Sequence, residues 1–226
     1  MENEIKFTYD AVSAPAILAC LRAVCRNDKQ FQTNIINSIY FDTRNHILVM
    51  EKASSDYLKT KVRIRWYEGV GSAVNGSNCF LEFKWKVGSK RLKRRTPLDM
   101  NSSGLLRVLT DPAFLGEIRQ HIMSNIPDFA GFDFVPRVLV SYTRHRFHEP
   151  FSETRIASDT GIQAKQIGPP VEGGGGRIFL DTSVLEVKGT HNELPNVLKT
   201  VLGRQVRKTA FSKYYECYKA LHNYHQ

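Results

Sequence analysis

Residues 59 to 68 read KTKVRIRWYE, with Lys59, Lys61, Arg63 and Arg65 at every second position and Thr60, Val62, Ile64 and Trp66 between them. A period of two is the period of a β-strand, so one face carries four cations and the other a mostly apolar row. Cations spaced roughly 6.6 Å apart along such a face repel by about 2–3 kcal/mol at an effective dielectric of about 20, and far less in open water. The chain must leave that row wet or set something strongly negative against it.

The arrangement recurs. In CFLEFKWKV, Leu81, Phe83, Trp85 and Val87 alternate with Glu82, Lys84 and Lys86. In VSYTRHRF, Tyr142, Arg144 and Arg146 share a side, and in VLEVKG, Leu185 and Val187 oppose Glu186 and Lys188. Near the N-terminus, Glu2, Glu4 and Lys6 oppose Ile5 and Phe7. An antiparallel sheet with one wet side gives the same alternation. Two features favour an enclosed charged face instead. The polar positions are mostly Lys and Arg, where a solvated face mixes in Ser, Thr and Gln, and the helices need apolar strand faces to cover.

Those helices are four. Ser13-Ala14-Pro15 opens one with Ile17, Leu18, Leu21 and Val24 on a stripe, and residues 103–126 form another, interrupted at Asp111-Pro112. ELPNVLKTVLG is a short one, and KTAFSKYYECYKALHNY closes the chain with Phe211, Tyr214, Tyr215, Tyr218 and Leu221 as its buried stripe. The predicted strands are EIKFTY, SIYFDT, HILVMEK (46–52), KVRIRWYE, the hairpin pair CFLEFKWKV and KRLKRRTPL, PRVLVSYTRHRF, TRIASDTGI, and one or two in RIFLDTSVLEVKG. VGSAVNGSN and IGPPVEGGGG read as loops; the glycine run lacks a following Lys-Ser/Thr and is no phosphate loop. Short links between strands predict a mainly β, α+β fold: an antiparallel sheet or closed barrel in one domain, residues 1–226, with helices packed on it. Closure would give a cationic lumen.

Thirty-two Lys and Arg against 22 Asp and Glu leave a formal charge of +10 on 226 residues. That balance selects an anionic partner: nucleic acid, an acidic membrane surface or a phosphorylated small molecule. Cys20, Cys25, Cys79 and Cys217 lack C-x-x-C spacing and read as free thiols of a reducing compartment. No run approaches the ~18–20 apolar residues of a membrane span, and MENEIKFTYD has no apolar signal core. A cytoplasmic protein is the expectation, peripheral to a membrane only through a partner.

EIKF, SIYFDT, KVRIRWYE, FLEFKWK, LKRR, SYTRHRF, RIASDTGI, VLEVKG and FSKYYE, in this order over nearly the whole chain, resemble the triphosphate tunnel metalloenzymes (CYTH-like). Within them, they resemble the polyphosphate polymerase domain of the vacuolar transporter chaperone (VTC) complex and its bacterial stand-alone relatives. The resemblance implies a closed antiparallel eight-stranded barrel with a C-terminal helix at one mouth. Its tunnel would take ATP, triphosphate or a growing polyphosphate chain, with Mg²⁺ or Mn²⁺ as cofactor. It implies Lys6, Arg63, Arg65, Lys84, Arg144, Arg155 and Lys213 as catalytic, phosphate-binding cations, with Lys93, Arg95 and Lys188 as further phosphate contacts. Glu186, and with it Glu4, would hold the metal. A separately encoded membrane protein would be the partner.

One departure stands out. The polymerase branch usually carries a basic or neutral residue where Glu2 stands, whereas Glu2-Glu4-Lys6 spells the E-x-E-x-K signature of the hydrolytic branch. Triphosphate hydrolysis, with Glu4 orienting water, is therefore a rival to chain synthesis. A binding module for RNA or inositol phosphates is a third reading. It is disfavoured because Phe83, Trp85 and Phe147 sit on the strand faces opposite the cations, where they pack and do not stack on bases. Asp42 and Asp159 read as turn or sheet-end residues.

Overall fold

The computed structural model describes residues 3–54, 57–70, 77–88, 90–129, 131–167, 176–190 and 193–223. Glu2 and most of the VGSAVNGSN and IGPPVEGGGG segments lie outside them. The strands are β1 (Asn3–Asp10), β2 (Arg26–Asn27), β3 (Thr33–Thr43), β4 (Leu58–Gly69), β5 (Asn78–Val87), β6 (Lys90–Asn101), β7 (Phe134–Glu149), β8 (Thr154–Gln166), β9 (Arg177–Phe179), β10 (Thr182–Gly189) and β11 (Arg207–Lys208). The helices are α1 (Ala14–Val24), α2 (Ile47–Ser54), α3 (Ser102–Val108), α4 (Pro112–Asn125), α5 (Asn196–Leu202) and α6 (Lys213–Asn223).

All strands join one antiparallel sheet in the order β11-β1-β10-β8-β7-β3-β4-β5-β6, with β2 added to β7 and β9 to β8. The expected closed eight-stranded barrel is corrected on both counts. The sheet has 11 strands and is open, because β6 and the β1–β11 end do not pair with each other among the described residues. The extra strands are the short ones, β2, β9 and β11, of two or three residues each. β6 is built as an edge: Pro97 has no N–H to donate, and Lys93, Arg94 and Arg95 are exposed.

Apolar side chains leave the sheet on both faces. On one outer side, Ile39, Phe41, Val62, Ile64, Leu81 and Phe83 pack under Leu105 of α3 and Phe114, Ile118 and Ile122 of α4. On the other, Ile5, Phe7, Phe147, Ile156, Leu185 and Val187 pack under Ile17, Leu18 and Leu21 of α1 and Leu198 and Leu202 of α5. A third cluster fills part of the opposite face, where Tyr214, Cys217 and Leu221 of α6 meet Ile36, Tyr40, Val138, Val140, Ile162 and Val184. The closing helix thus lies against the same face that carries the cations. Among the described residues no helix is long and apolar enough to cross a membrane.

HILVMEK is not a strand. Its β-branched composition suits one, but Asp42, fully buried at the end of β3, accepts hydrogen bonds from the N–H groups of Thr43, Leu48 and Val49. The Thr43 hydroxyl accepts from Ile47, so the first turn of α2 has its otherwise unpaired donors satisfied. Asp42 also accepts from the Tyr214 hydroxyl at 2.8 Å, which ties α6 to α2. Asp42→Ala strands three buried donors and should cost about 2–4 kcal/mol in a urea denaturation. A loss below about 1 kcal/mol would show that water replaces the carboxylate there.

Candidate functional site

Cross-strand register brings the charged rows together, since residues directly opposite one another share a face. Lys6 on β1 lies opposite Glu186 on β10, and Glu4 opposite Lys188. Lys188 in turn faces Arg155 on β8, and Arg144 on β7 faces Asp159. Across the sheet, Arg63 on β4 faces Tyr40 and Glu82, Arg65 faces Ser38, and Glu82 faces Arg95 on β6.

Two ion networks result. In the first, Arg144 donates through Nε to Oδ1 of Asp159 and through Nη2 to Oδ2, both at 2.6 Å; its Nη2 also reaches Glu186 Oε2 at 2.7 Å. Lys213, the first residue of α6, reaches Asp159 at 2.5 Å and Glu186 at 3.4 Å. Lys6 bridges Glu186 at 3.4 Å and Glu4 at 3.6 Å, and Lys188 meets Glu4 at 3.4 Å. In the second network, Arg63 grips Glu82 Oε2 through Nε and Nη2 at 2.9 and 2.6 Å and donates through Nη1 to the Tyr40 hydroxyl at 3.0 Å. Arg65 donates to Ser38 at 3.0 Å and Tyr142 at 3.4 Å. Tyr142 joins the two, since its ring also faces Lys213. Arg95 stacks over Phe80 at 3.6 Å, which fixes its guanidinium plane.

These charges are held in place at the expense of hydration. Burial alone would raise the Glu82 carboxyl, but Arg63 and Arg65 outweigh it and bring it to about 2. Burial likewise opposes Glu186, and Arg144, Lys213 and Lys6 hold it well below the usual carboxylate range. Glu82 keeps one oxygen, Oε1, buried without a hydrogen bond; Lys93 and Arg95 approach it at 3.6 and 3.7 Å.

Of the residues singled out in the sequence, Lys6, Arg63, Arg65, Lys84, Arg144, Lys188, Lys213, Glu4 and Glu186 converge on this face. Lys93 and Arg95 share it but stand exposed on the edge strand, and Arg155 is exposed beside Lys188. Three further members take no site role from the sequence: Asp159, and Glu82 and Lys61, which the period of two places on the charged faces. The turn or sheet-end reading of Asp159 is corrected. Its SDTG context is a β-bulge inside β8, where the register against β7 shifts and Gly161 takes φ +59°. The period of two, which puts Arg155, Ala157 and Asp159 on one face, was the available signal. Phe83 and Phe147 are buried in the outer clusters, away from the cations.

Among the described residues no group of three or more His, Cys, Asp or Glu forms a metal cage. Glu4 and Glu186 are diagonal neighbours on adjacent strands that share Lys6. Two carboxylates fit a hard divalent cation that brings phosphate oxygens and water as its remaining ligands.

Two solved structures share this fold over most of their length. The PH1819 protein from Pyrococcus horikoshii is 15% identical, with 96% of this chain and 99% of that one covered and a TM-score of 0.51. A Bacillus halodurans protein described as a candidate adenylate cyclase is 16% identical, with 92% and 95% covered and a TM-score of 0.53. At such identities the likeness carries the fold and none of the chemistry. A search of curated proteins returns no match. The VTC domain model matches residues 3–222, nearly the entire chain, which therefore belongs to the VTC domain family.

Proposed function

We propose that this face binds the triphosphate of ATP and the end of a polyphosphate chain, and that the protein transfers the γ-phosphoryl group to that end, releasing ADP. The observation that carries the reading is the fixing of Arg63, Arg65 and Arg144 in a largely buried face by Glu82, Ser38, Tyr40, Tyr142 and Asp159. Guanidinium groups already oriented at low dielectric match the oxygens of adjacent phosphates and need little reorganisation as charge shifts. Membership of the VTC domain family supports phosphoryl chemistry of this type.

In the transfer, a terminal oxygen of the acceptor chain attacks Pγ, a new P–O bond forms, and the bond from Pγ to the β,γ-bridging oxygen breaks, leaving its electron pair on ADP. The attacking oxygen is anionic, so no general base is required. Arg63, Arg65, Arg144 and Lys213 hold the phosphates in line, and Lys6 and Lys84 neutralise charge along the chain. Held by Glu186 and Glu4, Mg²⁺ or Mn²⁺ would withdraw charge from the transferring group.

Hydrolysis of triphosphate is the second reading, favoured by one observation. Glu4 is held by Lys6 and Lys188 at 3.6 and 3.4 Å beside Glu186, a position from which a carboxylate can orient water. The test incubates the protein with ATP and Mn²⁺ alongside Arg65→Ala and resolves polyphosphate by length on a gel. A ladder with ADP is expected, reduced roughly 10²–10³-fold in the variant, the usual effect of deleting one oriented donor. Free phosphate without chains would transfer the protein to the hydrolytic reading. No product, with triphosphate binding unchanged in Arg65→Ala, would overturn both.

A further inference from the structure

Between the two networks lies a pair of lysines that, among the described residues, forms no direct ion pair with an acid; Glu82 and Glu4 act on Lys84 only from a distance. Lys61 on β4 stands directly opposite Lys84 on β5, and Lys84 opposite Lys93 on β6. Like charges facing one another across strands destabilise a sheet. The nearest acids are committed elsewhere: Glu82 to Arg63, and Glu4 to Lys6 and Lys188. Among the described residues Lys61 donates to a neutral group, the Ser212 hydroxyl, at 2.9 Å.

Lys61 is also where the walls meet. Lys6 from β1, Arg63 from its own strand, Lys84 from β5 and Lys213 from α6 all act on it. Burial, then these four cations, hold its ammonium well below the usual lysine range. Arg63, then burial and Arg65, bring Lys84 down to about 7. Lys61 ties β4 to the first turn of α6 through Ser212, whose hydroxyl also accepts from the Tyr215 N–H at 3.5 Å, but that link needs one donor and not a row of opposed lysines, and an apolar side chain at position 61 would pack without the repulsion. An incoming anion reverses the balance, because each nearby negative charge favours the ammonium form.

We propose that Lys61 is a phosphate ligand at the centre of the site, exchanging the Ser212 hydroxyl for a phosphate oxygen and taking up a proton from solvent as a triphosphate group arrives. The proposal rests on the reading that this face takes a triphosphate chain, and it adds a residue and a proton to that reading. It also makes the cost of keeping a desolvated lysine beside other cations, met at rest by loss of its proton, a cost of binding capacity, of the kind that functional sites carry.

The experiment is calorimetric titration with inorganic tripolyphosphate, repeated with ATP, at about pH 8 in two buffers of different ionisation enthalpy, so that proton uptake is counted directly. Wild-type protein should take up between about one and two protons, from Lys61 and Lys84. Lys61→Met should bind roughly tenfold more weakly, take up fewer protons because its own is no longer available, and melt at a higher temperature without ligand. Lys61→Arg, charged throughout, should keep the affinity and lose the same proton. Wild-type affinity and uptake in Lys61→Met would overturn the proposal while leaving the phosphate site standing. A wild-type protein that binds neither tripolyphosphate nor ATP would overturn the phosphate site itself, and this proposal with it.

Discussion

Asp159→Asn should lower stability by about 3–5 kcal/mol, and tripolyphosphate should return part of that loss. The carboxylate is fully buried and takes three charged contacts, two from Arg144 at 2.6 Å and one from Lys213 at 2.5 Å. The amide has the same shape, so packing survives, but the charge is lost and one acceptor oxygen becomes an NH2 donor facing Arg144 or Lys213. Arg144 and Lys213 then share Glu186 alone, at 2.7 and 3.4 Å, and one buried cation is left without compensation. Removing one partner of a buried pair is costly because the other stays desolvated. A polyphosphate brought against the same face supplies the missing negative charge, so ligand should stabilise the variant more than the wild type. Urea denaturation with and without tripolyphosphate measures both effects. A loss under about 1 kcal/mol would mean that water reaches these cations and that the network is a surface one.

Much of the site was legible in the sequence because a strand's period of two separates faces without any knowledge of pairing. KTKVRIRWYE, FLEFKWK and VLEVKG each declared which side carries charge, and helices with apolar stripes declared which side is covered. Closure was not legible. It depends on whether β6 meets β1, and that follows from twist and bulges accumulated across the sheet, such as the register shifts at Tyr40/Phe41, Asn78/Phe80 and Ser141/Thr143. No local pattern encodes such a sum. HILVMEK failed for a different reason: composition favoured a strand, and a buried cap four residues upstream, Asp42, decided for helix. Asp159 failed because an Asp-Thr-Gly run signals a turn, and the same chemistry also serves a bulge within a strand. Glu82 and Lys61 were visible on their charged faces. Only the pairing partners, Arg63 for one and Lys84 for the other, give them distinct roles.

Without phosphate, the protein should gain stability as the pH rises from about 7 to about 9, by about 1–2 kcal/mol. The sign follows from Lys84, whose ammonium ionises at about 7 in the folded chain against 10.5 when exposed. Within that window the unfolded chain binds a proton that the folded chain does not, so unfolding takes up a proton and becomes harder as protons grow scarce. Below about 7 Lys84 is protonated in both states and its contribution vanishes, leaving the shallower rise from His46, which burial brings to about 4 from 6.5. The full linkage is about 1.4 kcal/mol per pH unit per proton, reduced here because Lys84 keeps some contact with solvent. Lys61 pulls in the same direction. Glu82 and Glu186 contribute nothing to this slope, since Glu82 at about 2 and Glu186 below the usual range are ionised in both states throughout. Above about 9 the trend should reverse: burial lifts the thiols of Cys25 and Cys79 to about 11 and that of Cys217 to about 12, from 9.0, so the unfolded chain loses those protons first. Urea midpoints measured from pH 6.5 to pH 9.5 give the curve, and Lys84→Met should flatten its rising limb. A wild-type curve that is flat or falling between about 7 and 9 would mean that the lysine pair is already neutralised or fully wet. Saturating tripolyphosphate should abolish the rise as well, because the bound anion keeps Lys84 protonated in the folded state. The same lysine that weakens the empty protein then becomes part of what holds the occupied one together.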